Sequence, residues 1–226
     1  MADVLNVLFH GIGTPQRELE PGEDVYWIDA DTFHRILDDV VAASAAGALP
    51  ALRLSFDDSN TSDVTVGLPA LLERGLTADF FVLAGRLRSA GSLDADAVRE
   101  LRDRGMGIGT HGMHHRPWRG LDEDARRDEF ETARDRIAEV TGAPVRRAAC
   151  PLGRYDRRTL GELRRLGYTE VFTSDRRYAR PGRWLQPRFS VRRGDTVETF
   201  RAQIAASRAP AARTRNALAG TVKRLR

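Results

Sequence analysis

Residues 51–63 read ALRLSFDDSNTSD. An apolar run climbs into two adjacent carboxylates, Asp57 and Asp58, and stops in small polar residues. Neighbouring carboxylates repel each other, so a pair kept at a strand end calls for a positive partner. A second cluster lies further on. The segment GTHGMHHRPW holds His111, His114 and His115, three of only five histidines, the others being His10 and His34. Two imidazoles and one carboxylate make a ligand set for catalytic zinc that leaves a position open for water. His111 and His115 stand four apart, so a helical turn or tight loop can aim both at one ion; His111 with His114 is the rival pair. A divalent cation would offset the repulsion between the two acids. One aspartate would bind the ion, and the other would take a proton from water acidified by it. The chemistry this set supports is metal-assisted hydrolysis of an acyl group.

Such groups need elements that carry them to one place. Apolar runs at 4–9, 52–56, 79–83, 107–110, 147–150 and 170–173 read as strands, with one more at 184–189. Helical patterns fall between them at 31–46, 65–74, 94–104, 122–141 and 156–166, several closed by glycine. In the first, Phe33, Ile36, Leu37, Val40 and Val41 share a face. Strands alternating with helices at this spacing predict βα units, a parallel sheet and, with seven or eight strands, a barrel. Functional residues of such barrels sit where strands end. Asp57 and Asp58, His111, and Pro151 with Gly153 each follow a predicted strand, so three strand ends deliver them to one rim.

Bulk properties narrow the classes. The 226 residues suit one domain, with 41% hydrophobic and 30% charged residues. Cys150 is the only cysteine, so no intrachain disulfide is possible. The first residues, MADVLNVLFHG, lack the basic start and long apolar core of a signal peptide, and no apolar run reaches membrane-spanning length, so a cytoplasmic location is expected. Six basic residues and no acid lie between positions 207 and 226, and without them the net charge of +4 becomes −2. The positive charge belongs to a tail, which argues against a broad nucleic-acid footprint.

Taken singly, each motif has a plainer reading. Residues 57–60 also read as a turn and helix cap, 111–115 as a solvated loop, and 150–153 as a strand-ending turn. Together, at successive strand ends, they resemble a known family. SFDDSNTSD, ADFFVL, GMGIGTHGMHHRPW, a helix over 129–139, CPLGRYD and LGYTEVFTSD occur in the order and spacing of polysaccharide deacetylases, over roughly residues 4–191. The resemblance implies an irregular (β/α) barrel of about seven parallel strands, TIM-like and of the NodB-homology type. It implies a carbohydrate substrate from which N-acetyl groups, or other acyl groups, are removed. It also implies a divalent metal: zinc first, with Co, Ni or Mn compatible with the ligands.

Carried onto matching positions, the resemblance makes Asp57 the general base and Asp58, His111 and His115 the metal ligands, with His114 at a variable position. Pro151 and Leu152 match a groove-forming motif in which the N–H after the proline helps bind the oxyanion. Asp175 lies near the place of an acid that orients a catalytic partner in some members.

Three departures follow. Ser59 stands where the family usually has Gly, and Ala149 where many members carry Arg; no histidine follows His115, although many members use a late histidine as general acid. His10, at the end of the first strand, is the candidate replacement, its alternative being a structural hydrogen bond. Arg188 is expected either to neutralise Asp175 or to contact substrate, a structural ion pair being the plainer reading. Of Trp27, Trp118 and Trp184, Trp118 is best placed to stack on a sugar ring, with core packing the ordinary fate.

The expected division is a barrel domain over 1–206 and a basic tail over 207–226. In the tail, Leu218, Val222 and Leu225 form a thin apolar stripe that suits weak contact with an anionic membrane face, against the simpler reading of a solvated tail. Rival functions are a same-fold amidase acting on a non-sugar amide or cyclic imide, and a catalytically degenerate metal- or sugar-binding protein.

Overall fold

The computed structural model describes residues 3–209 and 221–222. Strands and helices alternate in the order β1 (Val4–Phe9), α1 (Ala30–Ala45), β2 (Ala51–Phe56), α2 (Leu68–Glu73), β3 (Ala78–Val82), α3 (Ala95–Asp103), β4 (Gly107–Thr110), α4 (Glu123–Arg127), α5 (Ala133–Thr141), β5 (Arg147–Ala149), α6 (Arg157–Arg165), β6 (Glu170–Thr173), β7 (Leu185–Pro187), β8 (Phe189–Ser190) and α7 (Val197–Ala206). Side-chain caps start four of the helices: Asp29, Asp94, Asp122 and Asp156 each accept a backbone N–H three residues on. The helix expected over 122–141 is interrupted by a π turn at Asp128–Thr132. The helix expected from 65 likewise opens with a π turn, Asp63–Gly67. Helix α7, which the sequence reading did not anticipate, buries Phe200 and Ile204 and packs against α1. Of the expected tail stripe, Leu218 and Leu225 lie outside the described residues. No helix among the described residues is long and apolar enough to cross a membrane.

All strand pairings in the sheet are parallel, in the order β7-β6-β5-β4-β3-β2-β1-β8. Only Arg188 separates β7 from β8. Residues 185–190 therefore form one pass of chain whose first half pairs with β6 and whose second half pairs with β1. That pass brings the two ends of the sheet together, giving an irregular (β/α) barrel of seven passes, as expected.

Alternation along the strands sorts side chains to the two faces. Outward residues such as Val7, Phe9, Leu54, Phe56, Phe80 and Val82 join the main hydrophobic core with α1 residues Phe33, Ile36, Leu37 and Val40. The interior is layered. At the N-terminal end of the strands, Arg53 binds Glu170 at 2.8 Å and Asp79 at 3.1 Å, and Arg147 also pairs with Asp79. Above them Phe81, Ala149 and Phe172 form a small apolar layer. Gly109 makes room for it, since a Cβ there would lie 2.5 Å from the Phe81 ring. The C-terminal strand ends carry the site.

Candidate active site and metal centre

Asp57 ends β2 with its side chain inward, 2% exposed. Arg188, 1% exposed, donates to its two carboxylate oxygens at 2.7 Å each and to Ser55 Oγ at 3.2 Å. The guanidinium lies 5.1 Å from the centre of Phe81 and 5.7 Å from that of Phe172. Burial alone would raise the pKa of Asp57; Arg188, then His111, reverse this and hold it below the ordinary carboxylate range. The expected partner of Arg188, Asp175, is engaged elsewhere. It accepts from Tyr155 Oη at 2.7 Å and Thr173 Oγ1 at 2.9 Å. Arg188 points into the barrel on the closing pass, below the β2 rim, and so reaches Asp57 instead of Asp175 while still lining the cleft.

Asp58 and Ser59 turn the chain away from β2 with φ of 74° and 59°, in the left-handed region. A side chain at Ser59 is strained there, and glycine would adopt the same conformation without that strain. Ser59 Oγ accepts the Leu83 N–H at 2.7 Å, a bond glycine could not make.

His111 follows β4 and His115 lies in the next loop, with φ of 52°. The Nδ1–H of His111 donates to Ala149 O at 2.9 Å, and that of His115 to Glu20 Oε2 at 2.6 Å. Both Nε2 atoms then face Asp58 Oδ1, at 3.4 and 3.3 Å. That oxygen is buried and accepts no well-formed hydrogen bond from the described residues. Two ring nitrogens and a carboxylate oxygen around one point need a positive charge between them. His115 has a raised pKa, because Asp58 and Glu20 outweigh burial. The same donor set suits a divalent cation. One ligand atom from each of Asp58, His111 and His115 lies within 4.8 Å of the others. His114 does not join them; it is half exposed, with Nε2 3.0 Å from Asp128.

The loop carrying the histidines is held from behind by Glu129, which is fully buried on the π turn. It accepts the N–H groups of Met113 at 2.9 Å and His114 at 3.1 Å and the Trp118 Nε1–H at 3.2 Å. Trp118 is thereby drawn inside, 1% exposed and packed edge-on against Phe130 at 4.9 Å. It cannot stack on a sugar, contrary to expectation. The sequence offered one hint: a carboxylate on an apolar helix face, 11 residues from the tryptophan it bonds.

A cleft of about 230 Å³ opens over the centre, lined by His10, Asp57, Asp58, His111, His115, Leu152 and Arg188, among others. Leu152, with φ of 55°, stands at the mouth, half exposed, while Pro151 is buried beneath. Ser174, rather than Asp175, reaches the lining. His10 packs on Tyr26 with the rings tilted by 37° and their centres 4.6 Å apart, and its Nδ1 is buried without a hydrogen-bond partner among the described residues. Burial lowers its pKa, although Asp58 and Asp57 both favour its charged form. Beneath the paired acids sits Asp63, 1% exposed, its pKa pushed well up by burial and then by Asp58 and Asp57. Sequence reasoning missed Asp63 and Glu20. Asp63 sat inside a quoted motif; Glu20 lies in a polar stretch that carries no recognisable pattern.

The polysaccharide deacetylase profile matches residues 48–171, more than half of the chain. The chain belongs to the polysaccharide deacetylase family. Peptidoglycan-N-acetylmuramic acid deacetylase PdaA of Bacillus subtilis is similar, with 28% identity over 123 residues, covering 54% of this chain and 45% of that protein. The chain spans less than half the length of the curated relatives it matches. Among solved structures, the Streptococcus pyogenes deacetylase PplD, in complex with acetate, aligns with a TM-score of 0.72 at 22% identity, covering 89% of this chain and 98% of that one. IcaB from Ammonifex degensii aligns with a TM-score of 0.71 at 21% identity, covering 92% and 98%. The likeness to these two structures is one of fold. The family match leaves out both flanks of the site, since His10, Glu20, Asp175 and Arg188 fall outside it.

Proposed function

We propose that this family member hydrolyses acetyl groups from an N-acetylated oligo- or polysaccharide, using a divalent cation, zinc foremost, held by Asp58, His111 and His115. The observation that carries the reading is the buried Asp58 Oδ1 facing two imidazole Nε2 atoms, with the ionised Asp57 beside it. When bound, the cation would supply Lewis-acid polarisation of the acyl oxygen and acidify water. The rest falls to the chain. Asp57, kept anionic by Arg188, takes a proton from the attacking water as the water oxygen bonds to the acyl carbon. The Leu152 N–H, at the cleft mouth, stabilises the negative charge that develops on the acyl oxygen. The C–N bond then breaks, and the leaving nitrogen takes a proton by way of His10, whose lowered pKa suits it to pass on, rather than hold, the proton that Asp57 took from the water. Acetate and a free amine are released, and proton exchange resets Asp57 and His10. A cleft of about 230 Å³ admits the acyl-bearing end of a saccharide and leaves further rings outside. The acetate complex of the S. pyogenes relative is consistent with an acetyl group.

The test is acetate release from chitooligosaccharides by wild type, by wild type stripped with a chelator, and by Asp57→Asn. The reading expects release that stops on stripping and returns with zinc, and an Asp57→Asn protein that binds zinc but turns over almost nothing. Hydrolysis of cyclic imides without acetate release from any sugar would assign the site to a non-sugar amide. Zinc uptake with no hydrolysis by wild type would make the chain a binder.

A further inference from the structure

We infer that Glu20 is a positioning residue for the candidate metal centre, fixing the tautomer and orientation of His115 from the segment between β1 and α1. The inference rests on the metal-binding reading above, and it concerns a residue outside the region matched to the family. His115 occupies a left-handed backbone conformation, φ 52°, which the chain adopts only where neighbours over-determine it. Its ring can present either nitrogen to Asp58. Glu20 decides between them: Oε2 accepts the Nδ1–H at 2.6 Å and leaves Nε2 facing Asp58 Oδ1 at 3.3 Å. A carboxylate behind a metal-ligating imidazole fixes the ring and increases its basicity.

Glu20 is itself held. Its other oxygen pairs with Arg86, which also donates to the backbone carbonyl of Asp58 at 3.3 Å. Its N–H donates to Glu23 Oε2 at 2.9 Å. Glu23 in turn pairs with Arg17, whose Nη2 reaches Asn60 Oδ1 at 2.9 Å. The network therefore starts at one ligand, His115, and returns to the turn that carries another, Asp58. The same segment supplies Glu20, Pro21, Gly22, Glu23 and Tyr26 to one wall of the cleft. Ligand orientation and cleft wall are thus one mechanical unit.

The experiment compares wild type, Glu20→Gln and Glu20→Ala in two ways: calorimetric titration with zinc alone, and nitrogen NMR of the imidazoles in the metal-free proteins at alkaline pH, where the rings are neutral. Glu20→Ala should bind zinc about ten- to a hundredfold more weakly. Glu20→Gln, whose amide oxygen still accepts the bond, should fall between. In the metal-free proteins, His115 should carry its proton on Nδ1 in wild type and become a mixture of tautomers in Glu20→Ala. Zinc affinity equal to that of wild type in Glu20→Ala, or the same His115 tautomer in both proteins, overturns the inference. If wild type itself takes up no zinc, the metal reading falls, and the tautomer comparison still decides the role of Glu20.

Discussion

Arg188 and Asp57 meet as a two-pronged ion pair, each prong 2.7 Å long, although 131 residues separate them in the chain. Both side chains are almost wholly shielded from water. Removing one partner of such a pair leaves an uncompensated buried charge, which typically costs 3–5 kcal/mol. Arg188→Met is therefore expected to lower stability by about that much in urea unfolding. Arg188→Met combined with Asp57→Asn should recover most of the loss while remaining inactive. A single mutant as stable as wild type would mean that the pair is not what keeps Asp57 ionised.

Asp58 has a different task. Asp58→Asn and His111→Ala are each expected to weaken zinc binding by at least a hundredfold, measured by competition with a chelating dye, whereas Asp57→Asn should retain it. Equal zinc binding in all three variants and wild type would place the ion elsewhere.

Ser59 combines a strained backbone with a useful hydroxyl. A non-glycine residue in the left-handed region costs about 1–2 kcal/mol. Ser59→Ala keeps the strain and leaves the Leu83 amide without its acceptor; Ser59→Gly loses the bond but relieves the strain. Thermal melts should rank Ser59→Ala below Ser59→Gly by about 1 kcal/mol. The reverse order would show that the turn carries no strain at position 59.

Asp63 gives a pH signature. Its folded pKa is raised, because burial and then the two aspartates above it favour the neutral form. Below the ordinary aspartate pKa, folded and unfolded chains both hold the proton, and there is no penalty. As pH rises from there toward the elevated folded value, only the unfolded chain releases it, and stability falls by about 1.4 kcal/mol per pH unit. In metal-free protein, Asp63→Asn should therefore melt higher than wild type at neutral pH. The gain should vanish in acid, below the ordinary aspartate range. A difference independent of pH would show that Asp63 is ionised in the fold.

The barrel was legible because its signals are local. Alternating apolar runs and glycine stops placed nearly every strand and helix within a few residues. The cluster of Asp58, His111 and His115 was legible because the two histidines share one short loop, Asp58 follows a strand, and the family resemblance chose His115 over His114. What escaped depends on contacts distant in sequence. Glu20 reaches His115 across 95 positions. Arg188 went to Asp57 rather than Asp175 because residues 185–190 close the ring and present it beneath β2, and no pattern in LQPRFS encodes that closure. Trp118 was assigned to sugar on proximity to His115 alone; the buried Glu129 that takes its N–H lies on a π turn, a helical defect with no clear sequence mark.

The closing pass also sets an order of events during synthesis. Until residues 185–190 emerge, a nascent chain already carries both β2 acids and both imidazoles but lacks the guanidinium that neutralises Asp57. The cylinder stays open along the β6 and β1 edges, so water can reach the acids. A truncation at residue 171, where the family match ends, would stop at that same unfinished stage. One short stretch late in the chain thus acts as both the seam of the barrel and the counter-charge of Asp57, so until the seam closes that buried acid has no guanidinium beside it.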